Sequence, residues 1–158
     1  MIVLDELDHR ILRELQRDGQ MTFQQLGSKV HASAPTCQRR VKRLWRSGVI
    51  EKVITVVSAH AVGDPLTAIL EITLTKQDTE TLRAFELLMS GLDQIQQCYR
   101  VSTGPDFIVI IVVPDMPSYH AFANEQLTAT NAVRNVRTFF SIHRAKFDSK
   151  IPTRRSAD

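Results

Sequence analysis

The stretch Ser33–Gly48, SAPTCQRRVKRLWRSG, decides how the first third of the chain folds. Ser33 is an N-cap by residue type, and Pro35 falls in the first turn, where a missing N–H costs little. Five Arg and Lys follow within the eight residues Arg39–Arg46. On a wheel of about 100° per residue, Cys37, Val41 and Leu44 span only about 60° and form an inner stripe. Pro35, Gln38, Arg39, Lys42, Arg43 and Arg46 lie opposite, Arg40 flanks the stripe, and no acidic residue interrupts Arg39–Arg46. Trp45 borders the stripe and is expected to pack on a neighbouring element. The basic face is either a solvated surface or one built for phosphates and bases.

The preceding residues favour the second reading. In LDELDHRILRELQRDG, Leu4, Leu7, Ile11, Leu12 and Leu15 recur at helical spacing, Asp5, Glu6 and Asp8 favour the positive end of the helix dipole, and Gly19 ends the pattern. Thr22 and Gln25 have capping-box spacing for a second helix with Leu26 and Val30 on its inner side. Only about three residues, His31-Ala32-Ser33, separate it from the basic helix. Three short helices with a tight second turn predict a helix-turn-helix. The β-branched run VIEKVITVVS, residues 49–58, predicts a strand after it, which makes the motif winged.

The period then changes. Leu66, Ala68, Leu70, Ile72 and Leu74 alternate as one face of a half-buried strand. Asp78 caps a helix carrying Leu82, Phe85, Met89 and Leu92. IQQCYRV and FIVIIVV predict two more strands, the second buried on both faces, joined by the turn STGPD. Asp115 and Pro117 open another helix, and VRNVRTFFSIHRAKF contains a last strand. The order βαββαβ is ferredoxin-like. The expected class is therefore α+β: a winged helix-turn-helix over 1–58, a linker at 59–65, a ferredoxin-like domain over 66–148 and a flexible polar tail at 149–158.

Totals narrow the function. Residues 1–63 hold ten basic and six acidic side chains, and the remainder ten and eleven, so a polyanion partner belongs to the first half. Cys37 and Cys98 are too few and too distant for a disulfide framework or a zinc site, and the five histidines have no metal spacing. Cys37 reads as a buried small hydrophobe. The longest apolar run, Phe107–Val113, is too short for a membrane helix. The start, MIVLDELDHR, has no signal-peptide pattern. A cytoplasmic protein without metal or tight cofactor is expected. Recognition helices present their N-terminal residues to base edges, so Pro35, Thr36, Gln38 and Arg39 are expected at bases, with Ser33 beside them. Arg40, Lys42, Arg43 and Arg46 are expected near phosphates.

LDELDHRILRELQRDGQMTFQQLG followed by SAPTCQRRVKRLWRSGVI, with VSTGPDF, VPDMPSYHAF and VRNVRTFF further on, resembles the leucine-responsive regulator/AsnC family of transcription factors. The likeness runs over about Leu4–Phe147. It implies a winged helix-turn-helix joined to an ACT-like effector domain, dimers paired through their sheets, and assembly up to octamers. It also implies a small amino-acid effector between second domains, near Thr103-Gly104-Pro105-Asp106. Asp106 would accept from the ligand's ammonium. Family position adds Arg100, Thr103, Gly104, Met116 and Thr128, together with Phe139, Phe140 and Ser141. Two registers depart from the family: Ala34-Pro35-Thr36 where it has Pro-Ser/Thr-Pro, and Gly104-Pro105 where it has an acid and an aromatic. Each effector residue has a plainer reading. The loop is a turn by composition, Met116 and the phenylalanines are core, and Arg100 is an exposed strand residue, a partner for Asp106 or a contact for an acidic effector.

The expected function is a sequence-specific, DNA-binding transcription regulator modulated by an amino acid and acting as a homo-oligomer on double-stranded DNA. A constitutive architectural DNA binder is one alternative. An enzyme resembling the tetrapyrrole decarboxylases is another, against which the basic helix argues.

Overall fold

Side-chain caps start the helices where the residue types place them. A computed structural model describes residues 2–153. They form two units: residues up to Val56 together with the segment from Lys146, and Val57–Ala145.

The first unit holds α1 (Glu6–Leu15), α2 (Phe23–Val30) and α3 (Ala34–Arg46). Asp5 with Asp8 forms one capping box and Thr22 with Gln25 another, while Ser33 caps α3. Ile11, Leu12, Leu26, Val30, Cys37, Val41 and Leu44 close the core, so the predicted stripe is the one buried. Burial pushes the Cys37 thiol up from its ordinary value. Trp45, expected to pack, is 42% exposed.

The predicted wing strand over 49–58 is absent: no strand is formed there. A β-branched run becomes a strand only with a ladder partner, and this unit supplies none. Val53, Ile54, Val56 and Val57 are exposed instead. The start of the predicted loose tail is also tied down. The Ile151 N–H donates to Gln16 Oε1 at 2.7 Å, and Gln16 Nε2 donates to the Ile151 carbonyl at 3.1 Å. The remainder of that predicted tail, 154–158, lies outside the described residues.

In the second unit a 3₁₀ turn, His60–Val62, leads to β1 (Leu66–Leu74), α4 (Thr79–Ser90), β2 (Ile95–Arg100), β3 (Phe107–Val113), α5 (Met116–Gln126), a second 3₁₀ turn (Ala129–Asn131) and β4 (Val133–Phe140). The sheet order is β2-β3-β1-β4, with every pairing antiparallel. Asp78 and Asp115 accept from the N–H groups of Thr81 and Ser118 and cap the two helices. Leu82, Phe85 and Met89 from α4 and Tyr119 and Phe122 from α5 join one face of the sheet in a single core. β3 departs from expectation. Phe107, Val109, Ile111 and Val113 are buried, but Ile108, Ile110 and Val112 are half-buried. Both helices cover the same face, and no described element of this unit covers the other.

Candidate nucleic-acid interface and effector loop

The turn between α2 and α3 is tight because Gly27 permits it. A Cβ there would stand 2.5 Å from the Ala32 carbonyl oxygen, which no side chain tolerates. His31 ends α2 in the left-handed conformation at φ 55°, and the Ala32 N–H donates to the Gly27 carbonyl. Ser33 Oγ accepts from the Thr36 N–H at 3.3 Å and shares a 2.9 Å hydrogen bond with Thr36 Oγ1. The Ser33 hydroxyl is thus engaged in the cap, while Pro35, Gln38 and Arg39 are exposed.

The basic run divides in two. Arg39, Lys42 and Arg46 are exposed and, among the described residues, have no carboxylate partner. With Arg43 and Ser47 they line an open concavity of about 470 Å³. Arg40 and Arg43 are half-buried and turn toward α1. Arg40 Nη1 lies 2.5 Å from Asp5 Oδ2 and 3.3 Å from Asp8 Oδ1, and Arg43 Nη2 pairs with Asp8 Oδ2. Asp8 is fully buried, the sole buried charged side chain among the described residues. Its Oδ2 also accepts from the Asp5 N–H at 3.0 Å. The Asp8 N–H, then the Arg40 guanidinium, hold the Asp5 carboxyl below its ordinary value, and Asp5 in turn raises Arg40. Asp8 had been legible only as a helix-start acid. Its partners lie 32 and 35 residues on, beyond any local pattern. Ser47, which also lines the concavity, stands just past the helix as its C-cap.

The expected effector residues fall into two groups. Asp106 closes the end of β1: its N–H donates to the Ile72 carbonyl, and its Oδ2 accepts from the Leu74 N–H at 2.7 Å. Arg100 does not pair with Asp106; it lies 3.9 Å from Glu86. Thr103 and Gly104 are exposed, with Gly104 at φ 87° and open space around it. The Thr128 carbonyl accepts from Val133, the residue opposite Leu74. These five therefore share one end of the sheet. The other end carries Phe140, opposite Ala68, Ser141, whose N–H donates to the Thr67 carbonyl, and Met116, just beyond β3. Phe139, opposite Ile69, is on the outer face. Four to six strand residues separate the ends, or about 13–20 Å at the strand rise of roughly 3.3 Å. Met116, Phe139 and Phe140, read as core in the plainer view, are 41%, 45% and 37% exposed. No cluster of His, Cys, Asp or Glu among the described residues is placed to hold a metal ion. No helix among them is long and apolar enough to cross a membrane.

Both units match family models: an AsnC-type helix-turn-helix domain at residues 4–44 and an Lrp/AsnC ligand-binding domain at residues 67–151. This chain belongs to the Lrp/AsnC family. Members similar to it include the leucine-responsive regulatory protein of Rhizobium meliloti, 37% identical over 92% of this chain and 93% of the relative. An uncharacterized HTH-type transcriptional regulator of Haemophilus influenzae is 38% identical over 96% and 90%. An AsnC family transcriptional regulator from Agrobacterium tumefaciens has the same fold at a TM-score of 0.85, with 29% identity, over 94% of this chain and 97% of that one. The Lrp/AsnC family is one of transcriptional regulators, and the helix-turn-helix is its DNA-binding part.

Proposed function

We propose that this Lrp/AsnC member binds specific double-stranded DNA sites as a homo-oligomer and that a small amino acid tunes that binding. The observation that carries the DNA reading is the exposure of Gln38, Arg39, Lys42 and Arg46 along one face of α3 with no acidic partner among the described residues. Pro35, Thr36, Gln38 and Arg39 meet base edges, since Gln suits adenine and Arg suits guanine. Lys42 and Arg46 meet phosphates, with the first turn at Ser33 beside the backbone. Nothing in this role calls for a reaction, so the chain acts as a binder rather than an enzyme. It works where the DNA is, in the cytoplasm.

The oligomer reading rests on the uncovered sheet face, where Ile69, Ile108, Ile110, Val112 and Phe139 lie together. A second copy covers such a patch. It also solves the separation of the two effector groups. A site between copies brings the Asp106 loop of one chain to the Phe139–Ser141 end of another, which no single chain achieves. A regulator of Neisseria meningitidis, 22% identical with a TM-score of 0.84 over 95% of this chain and 97% of that one, is known in complex with L-Met. An amino acid is the ligand class we assign here. It acts through unequal affinity for two assembly states.

Arg39→Ala tests the DNA reading. It is expected to lose about 1–3 kcal/mol on the selected operator and little on random duplex, since the loss is one of base discrimination. Equal loss on both duplexes would remove Arg39 from the bases. The engagement of Asp106 by the Leu74 N–H favours a second reading, an architectural DNA binder without effector. A thermal-shift panel of amino acids with no response at millimolar concentration selects that reading.

A further inference from the structure

Arg40 and Arg43 belong to the same helix as Lys42 and Arg46 but stand in different electrostatic circumstances. Asp5 and Asp8 face Arg40 and Arg43, so two carboxylates meet two guanidiniums and the cluster is neutral as a whole. Asp8 has no exposure to water. An ionised carboxylate in that position depends on its partners, because stripping one away leaves charge without solvent. A phosphate competing for Arg43 would have to do that. Lys42 and Arg46 lose nothing comparable by turning to a phosphate, since both are exposed and have no carboxylate partner among the described residues.

We propose that Asp8 is a positioning residue of the DNA-binding face, and that Arg40 and Arg43, despite lying in the basic run, do not neutralise phosphates. Asp8 takes up their charge, fixes α3 against the start of α1, and leaves Lys42 and Arg46 as the phosphate cations beside the base-reading Arg39. The masking lowers sequence-independent attraction, which scales with the number of phosphates neutralised, without thinning the base-reading turn. This inference rests on the assignment of α3 to DNA.

The test is the salt dependence of binding by the full chain to a random-sequence duplex. Lys42→Ala and Arg46→Ala are each expected to flatten the slope of log affinity against log salt by about 0.9 per subunit. The double variant Asp8→Asn/Arg43→Gln removes one charge of each sign and is expected to keep the unmodified slope. Asp8→Asn alone releases a guanidinium and is expected to steepen the slope and strengthen binding at low salt. A merely structural loss would weaken binding instead. A double variant as flat as Lys42→Ala would overturn the proposal, as would Asp8→Asn binding more weakly with an unchanged slope. If neither Lys42→Ala nor Arg46→Ala moves the slope, α3 is not the phosphate-binding face, and the underlying DNA assignment falls with it.

Discussion

In the helical unit a fully buried carboxylate, Asp8, meets two arginines, whereas in the sheet unit every buried side chain belongs to the apolar core. The sizes of the two cores explain the contrast. Seven buried residues hold the three helices, and fourteen hold the sheet with its two helices. Apolar burial is non-directional, so a small helical core permits one helix to slide or turn on another. A guanidinium–carboxylate fork fixes direction as well as distance. The sheet needs no such device, because its ladder hydrogen bonds already set register. Each unit thus fixes the orientation of its exposed face by a different bond: an ion pair for the cationic helix, a backbone ladder for the apolar sheet.

The contrast breaks hardest where the sheet core is cut. Phe107 is fully buried, and its ring lies tilted at 42° to that of Phe85 with 4.9 Å between centroids. Phe107→Ala is expected to cost the sheet unit about 3–5 kcal/mol. Denaturant unfolding followed by fluorescence of Trp45, which reports the helical unit, should then separate from unfolding followed by far-ultraviolet dichroism. Coincident curves would mean that the two units unfold as one. Gly27→Ala is a smaller blow to the other side. Its Cβ would meet backbone, not a mobile side chain, so the helix-turn-helix must open at a cost of about 1–3 kcal/mol. The melting temperature should fall, and specific DNA binding should fall further than stability does. Retained operator affinity would show that the turn has slack.

The smallest effect sharpens the electrostatic side. The Ser118 side chain and N–H hold the Asp115 carboxyl below its ordinary value of 3.8. A depressed folded value means that the cap's contribution is full above 3.8 and is lost as pH falls through the folded value. Asp115→Asn keeps the cap but does not titrate. Its melting temperature should therefore decline less than that of the unmodified chain between about pH 5 and pH 2. Parallel declines would show that this cap carries no acid sensitivity.

Local chemistry made much of this molecule legible. Thr22 with Gln25, Ser33, Asp78 and Asp115 announce helix starts by residue type, and each caps the helix that follows. The alternation Leu66–Leu74 fixed both a strand and its inner face. What stayed hidden depends on partners distant in sequence. Residues 49–58 have the composition of a strand and lack a neighbour to pair with. β3 looks buried on both faces because its half-buried outer residues, Ile108, Ile110 and Val112, are as apolar as its inner ones. Asp106 reads as a ligand acceptor by residue type and position, and nothing near it in sequence shows that its Oδ2 also accepts from the Leu74 N–H. The basic run reads as one surface until Asp5 and Asp8 divide it.

The pairing of Gln16 with Ile151 sets an order of events during synthesis. The three helices and the residues that close their core are all made before position 60, and domains fold as they emerge. Ile151 is made 135 residues after Gln16, once all four strands have been translated. Until then the Gln16 carboxamide lacks these two partners. The DNA-reading unit therefore reaches its final form only after the sheet unit has been made, and the last hydrogen bonds it acquires come from beyond β4.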